Sequence, residues 1–254
     1  MIRNPEARPE AQIFRTVAQA QEAAAHIVAD AVRAAERDRP CSLSLSGGST
    51  PRGMHEVLAG IPGIDWSRVH VFWGDERTVP PDDPQSNYGM ARETLLSRVA
   101  IPEENIHRMH GELDPHEAAS QYEAELRGVF GDLPDGEFPR LDVDILGIGA
   151  DGHTASLFPG TTALDERARW VVANWVPQQD TWRITLTYPV LNSARLTLFL
   201  ATGADKADPL FRIFAPDVAD RPPSWRVQPA DGRVIFVLDA AAAEGVERAR
   251  AAMG

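Results

Sequence analysis

Apolar residues recur at Val17, Ala20, Ala24, Ile27, Val28, Ala31 and Val32. That spacing draws one helical stripe and predicts a helix over 16–36, closed by Arg37-Asp38-Arg39 and Pro40. The period then changes to two. Residues 41–46 alternate apolar and serine positions and read as a strand. Gly47-Gly48-Ser49-Thr50-Pro51 follows, with Thr50 as N-cap and Pro51 as first helical residue of a helix reaching about residue 58. Mainly apolar runs at 69–73, 143–148, 196–201 and 234–238 read as buried parallel strands. Residues 170–176 and 183–187 also read as strands, and 105–109 allow one more. Helices are expected over 87–99, over 115–130 with Pro at its start, after Lys206 through 214, and in the alanine-rich C-terminus, where Asp239 caps. Residues 1–12 read as a loose lead-in, and 131–140 and 215–232 as surface loops. The Pro/Asp-rich stretch after Arg77 is too long for a minimal connection.

Strands and helices alternate nearly throughout, with no internal repeat and no linker. The expectation is a single α/β domain over 1–254: a doubly wound, mostly parallel, Rossmann-like sheet with helices on both faces. In such sheets ligands gather beyond the carboxyl ends of the strands. Four chemically loaded turns, 46–50, 74–77, 147–153 and 202–206, all follow strand ends, which argues for one shared site.

Composition narrows the chemistry. The net charge of −12 argues against a nucleic-acid partner, since phosphate backbones select basic surfaces. An anionic substrate would need a few cations to reverse the field locally. Of the 25 Lys and Arg residues only Lys206 is a lysine, which singles it out where a compact ammonium is wanted. No run is long enough for a membrane helix, the N-terminus lacks the apolar core of a secretory signal, and Cys41 has no partner for a disulfide. Together these point to a cytoplasmic protein with no membrane partner. Cys41 itself reads as core packing.

The turn 46–50 offers backbone N–H groups and two hydroxyls at a helix N-terminus, which suits a phosphate, although the Lys of a Walker loop is missing. Gly147, Gly149 and Gly152 formally match a dinucleotide fingerprint, but the strand after them carries Asn174 where a carboxylate is wanted. His55-Glu56 begins like a zincin helix, with Ala59 in place of the second His. His107, His110 and His116 span three elements and read as solvated. Trp73, Trp170 and Trp175 lie in strands and read as core. What remains is a base, His153, able to take a proton from water near neutral pH. Arg77 and Lys206 can hold an anion, and Asp75 or Asp151 can orient the imidazole or a sugar. This fits water attack on the activated carbonyl of a phosphorylated small molecule.

The segments LSLSGGSTP (43–51), VFWGDERTVPPDDPQSNYGMARETLL (71–96), DILGIGADGHTASLFPG (144–160), RITLTYPVLNSAR (183–195) and TGADKA (202–207) closely resemble the 6-phosphogluconolactonases, relatives of the glucosamine-6-phosphate deaminases. The match spans nearly the whole chain. The resemblance implies hydrolysis of 6-phospho-D-glucono-1,5-lactone to 6-phosphogluconate, with no cofactor and no metal. It implies His153 as general base, Arg77, Lys206 and the turn Gly47, Gly48, Ser49, Thr50 around the phosphate, and Arg183 facing the substrate. Asp75 sits in a family motif with a less defined role. The expected partner is a small sugar-phosphate lactone, and the expected state a monomer or weak homodimer. Deaminases carry Glu five residues after the motif His, where this chain has Phe158, and a different acidic motif at 74–77; both departures favour the lactonase. A non-catalytic sugar-phosphate binder would not need His153 with Asp151. The chain also departs from the usual pattern at Asp208-Pro209, which suggests a later helix start, at Phe236, and at Ser224-Trp225-Arg226.

Overall fold

The computed structural model describes residues 10–35 and 39–253. Glu36, Arg37 and Asp38, expected to end the first helix, lie outside them, as do residues 1–9. The chain runs β1 (Glu10–Phe14), α1 (Val17–Ala34), β2 (Cys41–Leu45), α2 (Ser49–Gly60), β3 (Val69–Trp73), β4 (Asp75–Arg77), α3 (Asn87–Thr94), α4 (Pro115–Phe130), β5 (Val143–Leu146), β6 (Val171–Val176), β7 (Thr181–Leu186), α5 (Tyr188–Leu191), β8 (Leu196–Ala201), α6 (Ala207–Phe214), β9 (Arg233–Asp239) and α7 (Ala240–Ala251). Six strands form a sheet in the order β1-β9-β8-β5-β2-β3, with every pairing parallel.

Both faces of this sheet are covered, as parallel sheets require. Leu43, Leu45, Val143, Ile145, Leu198 and Val237 pack with Ala24, Val28, Met54 and Leu58 of α1 and α2. Phe72, Leu146, Phe199 and Phe236 pack with Tyr122 of α4, Leu210 of α6 and Val246 of α7. The alternation in β2 therefore marks no solvent face: all five residues are buried. Ser42 is used by Asp142, whose carboxylate accepts both its N–H and its hydroxyl. One polar row remains in the core. Ser44, Asp144 and Thr197 lie side by side by register, fully buried, with their side-chain oxygens unpartnered. Burial pushes the Asp144 carboxyl up to about 7.

The sheet is mostly parallel, as expected, but four readings need correction. Residues 10–14 are an edge strand on β9 rather than lead-in. Residues 75–77 are not a turn: they form β4 of a separate antiparallel sheet, β4-β7-β6, so the strands at 170–176 and 183–187 are a hairpin outside the main sheet. Asp180, in the left-handed region at φ 49, closes that hairpin, a conformation Asp tolerates. Residues 105–109 contribute only a bridge from Ile106 to Val71. The helix at 87–99 stops at Thr94 and continues as a 3-10 turn over Leu96–Arg98.

Smaller corrections follow the packing. Gly48, not Thr50, stands at the N-cap of α2. Pro209 does not delay α6; it occupies the first turn, where a missing N–H costs nothing. The loop 215–232 is at the surface over most of its length, as expected, but buries Pro222, Pro223 and Ser224. Trp73 and Trp170 are core, but Trp175 is exposed on the small sheet. His107 is buried and bonded to His70 and Glu125 rather than solvated. Cys41 is buried as expected, and burial raises its thiol to about 12. Asp239 caps α7 through the N–H of Ala242. No described helix is long and apolar enough to cross a membrane.

Candidate active site

β2, β3, β5 and β8 end on one side of the parallel sheet, and their turns open onto a cleft of about 270 Å³. The chain leaves β5 through Gly147 and Gly149 and bends back, with the Gly149 N–H donating to the His153 carbonyl (2.9 Å) and Gly152 N–H to the Gly149 carbonyl (2.9 Å). A side chain at 149 is excluded, since a Cβ there would lie 2.1 Å from His153 Nδ1. The turn delivers His153 into the cleft wall.

Asp151 Oδ1 accepts from the backbone N–H of His153 at 3.0 Å and lies 2.6 Å from its Nδ1. Burial tends to raise the Asp151 carboxyl, but these bonds from His153 outweigh it and hold the group below the usual carboxylate range. An ionised carboxylate only accepts, so Nδ1 carries the proton and the neutral ring keeps its lone pair on Nε2. Phe158 stacks on the imidazole with centroids 3.9 Å apart and planes 24° apart. The ring is thus held along one edge and one face. Asp75 does not share this work. Its Oδ2 accepts from the Ser156 hydroxyl at 2.6 Å and its Oδ1 from Asn87 Nδ2 at 3.3 Å.

The opposite wall is cationic. Arg77 on β4 and Arg183 on β7 face each other in register, and Lys206 reaches the same cleft. Like charges directly across a ladder are unfavourable. Burial, then the charge of Arg77, lower the pKa of Arg183. Oxygens steady each side chain: Gln85 O takes Arg77 Nη1 at 2.6 Å, Gln179 Oε1 takes Arg183 Nη2 at 2.6 Å, and Asp205 takes Lys206 Nζ at 2.6 Å. Glu76, between the two acidic and basic positions, faces away. Its carboxylate accepts the N–H groups of Arg77, Asn87 and Tyr88 and the Ser86 hydroxyl, which pins the long Pro/Asp loop.

The turn after β2 is brought in only in part. Ser46 and Gly47 line the cleft. Gly48, Ser49 and Thr50 are not among its lining residues; they open α2, with the Thr50 hydroxyl 2.8 Å from that of Thr202. Besides the apolar Ile148 and Ala155, four lining residues carry no role in the sequence reading: Asn87, Ser156, Phe158 and Gln179. Asn87 and Ser156 lie within the quoted motifs and were within reach, as was Phe158. Gln179, in a hairpin connection, carries no signal. The zincin fragment leads nowhere: His55 is fully buried on α2 and burial lowers its pKa to about 3. Among the described residues, no three His, Cys, Asp or Glu side chains are grouped to hold a metal.

An imidazole braced by a carboxylate shares one small cleft with three cations at the carboxyl edge of a parallel sheet, the kind of arrangement an α/β enzyme acting on a small anion presents. The comparisons narrow the class. The chain belongs to the family of glucosamine-6-phosphate isomerases/6-phosphogluconolactonase, whose model matches residues 15–236. It is 46% identical over 203 residues to a 6-phosphogluconolactonase of Nostoc sp., covering 79% of this chain and 82% of that one. It is 40% identical to a 6-phosphogluconolactonase of Haemophilus influenzae, covering 88% and 95%. A solved 6-phosphogluconolactonase from Trypanosoma cruzi superposes with a TM-score of 0.85 at 31% identity, covering 94% and 97%.

Proposed function

We propose that this cleft hydrolyses 6-phospho-D-glucono-1,5-lactone to 6-phospho-D-gluconate, with His153 as the general base. The observation that carries the mechanism is the Asp151–His153 contact of 2.6 Å in the same cleft as Arg77, Arg183 and Lys206. The relatives' lactonase names support the substrate.

In this mechanism Arg77, Arg183 and Lys206 hold the phosphate, with Ser46 and Gly47, the part of the turn after β2 that lines the cleft, completing the anion-binding side. The lactone carbonyl then lies near His153. Nε2 takes a proton from water, and the resulting hydroxide adds to C1. Asp151 stabilises the imidazolium that forms. Collapse of the tetrahedral intermediate breaks the bond from C1 to the ring oxygen, which leaves as the C5 hydroxyl after receiving the proton from His153. One water is consumed and one carboxylate appears. Asp75, already fixed by Ser156 and Asn87, orients the sugar through its remaining acceptor sites. The whole of 1–254 acts as one cytoplasmic domain, as a monomer or weak homodimer with no nucleic-acid or membrane partner.

The test is hydrolysis of freshly generated 6-phosphogluconolactone, corrected for the spontaneous rate, by wild type and His153→Ala. Fast wild-type turnover with the variant near background supports the reading. An equally active variant removes His153 from its role, and an inactive wild type removes the reaction.

A further inference from the structure

Two of the places where the chain departs from the pattern it otherwise resembles converge on Gly152, the residue between Asp151 and His153. A Cβ at Gly152, whose φ is +84, would lie 2.3 Å from the Cβ of Pro222 and 3.5 Å from that of Pro209. The Ser224 N–H donates to the Gly152 carbonyl at 3.0 Å. Among the described residues this is the one backbone hydrogen bond that reaches residues 149–153 from outside the turn. The turn's other bonds close on itself and would let it rock as a unit.

The contacting segment is itself anchored. Arg221 Nη1 donates to the carbonyls of Arg212 and Ile213 at the end of α6, and the Tyr188 hydroxyl donates to the Pro223 carbonyl at 2.8 Å. Pro209 stands in the first turn of α6, directly after Lys206. The segment tied to the far end of α6 therefore closes over Gly152 through Pro222, and Pro209 of the same helix borders the space that a side chain there would fill.

We propose that Pro209, Pro222 and Ser224 are positioning residues: they clamp Gly152 and so set the Asp151–His153 pair in the cleft. The proposal rests on the reading of His153 as the base. A turn carrying a base needs its geometry held to a fraction of an ångström, because misplacement of about 1 Å can cost about 100-fold in rate. Glycine at 152 is demanded by the clamp as well as by its backbone conformation.

The test compares Pro222→Gly, which removes the contacting Cβ, with Pro222→Ala, which keeps it. Pro222→Gly should lower kcat about 10-fold with KM changed less than about twofold, while Pro222→Ala stays within about threefold of wild type. A second readout does not depend on turnover. The downfield imidazole N–H proton of His153, assigned by its absence in His153→Ala, should be lost to exchange in Pro222→Gly and retained in Pro222→Ala, well below the melting temperature of either. If that resonance survives in Pro222→Gly, the clamp is overturned, whatever the rate does. A wild type without lactonase activity would remove the proposed function and leave the resonance to decide the clamp.

Discussion

Asp151 and His153 lie two residues apart on one turn, whereas Arg77, Arg183 and Lys206 reach the same cleft from three separate segments. The base side is assembled by short-range bonds and needs the rest of the fold chiefly to hold it still. Two of the three cations, Arg77 and Arg183, reach the cleft only because a small antiparallel sheet folds against the carboxyl edge of the large one; Lys206 follows β8 of the large sheet. That sheet places two guanidinium groups opposite each other, an arrangement that a bound anion relieves. On the proposed mechanism local chemistry and tertiary chemistry divide the labour: one wall would supply the proton transfer, the other the grip on the charge.

If that division is right, substitutions on the two walls should fail differently. His153→Ala should lower kcat the most, by about 1,000-fold, within the range of general acid–base catalysis, with KM little changed in steady-state assays. Asp151→Asn should come next, about 100-fold in kcat, because an amide no longer fixes the proton on Nδ1. Since the bonds from His153 outweigh burial and hold the Asp151 carboxyl below the usual carboxylate range, the acid limb of the wild-type rate profile should fit a single ionisation. Arg183→Ala should raise KM about 10-fold and leave kcat within about threefold, as loss of binding shared by ground and transition states does.

The smallest effect concerns neither wall. Asp144 is unpaired in the core with its pKa raised to about 7. The folded state then binds a proton that the unfolded chain, titrating near 4, has released, so stability falls as pH rises from about 4 to 7 and is flat above. Asp144→Asn should raise the melting temperature by a few degrees at pH 8 and less at pH 5, read by thermal unfolding. A variant equally stabilised at both pH values would show that Asp144 is not buried as an acid.

The same contrast explains what the chain reveals when read as a string. Val69–Trp73 and Leu196–Ala201 are readable to the residue because strands covered on both faces are mainly apolar, broken here only by His70 and Thr197. Pro115 marks the start of α4, which the structure keeps and which Asp114 caps. His153 is legible because its partner and its glycines are neighbours. β4 is not: Asp-Glu-Arg has no period, and its pairing with β7 is decided about a hundred residues later. Trp175 looks like core because strand aromatics usually are, but its strand belongs to the small sheet and leaves that side chain exposed. Gln179 and Pro222 matter through contacts that no local pattern announces. The loop at 215–232 looks like surface because proline and polar residues dominate it, and much of it is, yet Pro222 packs against the turn that carries His153.

The most direct test of the two-wall account is kcat/KM for 6-phosphogluconolactone and for the unphosphorylated 1,5-lactone in wild type, His153→Ala and Arg183→Ala. The account predicts a strong wild-type preference for the phosphorylated lactone. Arg183→Ala should lose most of that preference, and His153→Ala should slow both substrates by a similar factor. An Arg183→Ala enzyme that keeps the wild-type preference would contradict the assignment of the cation wall to the phosphate.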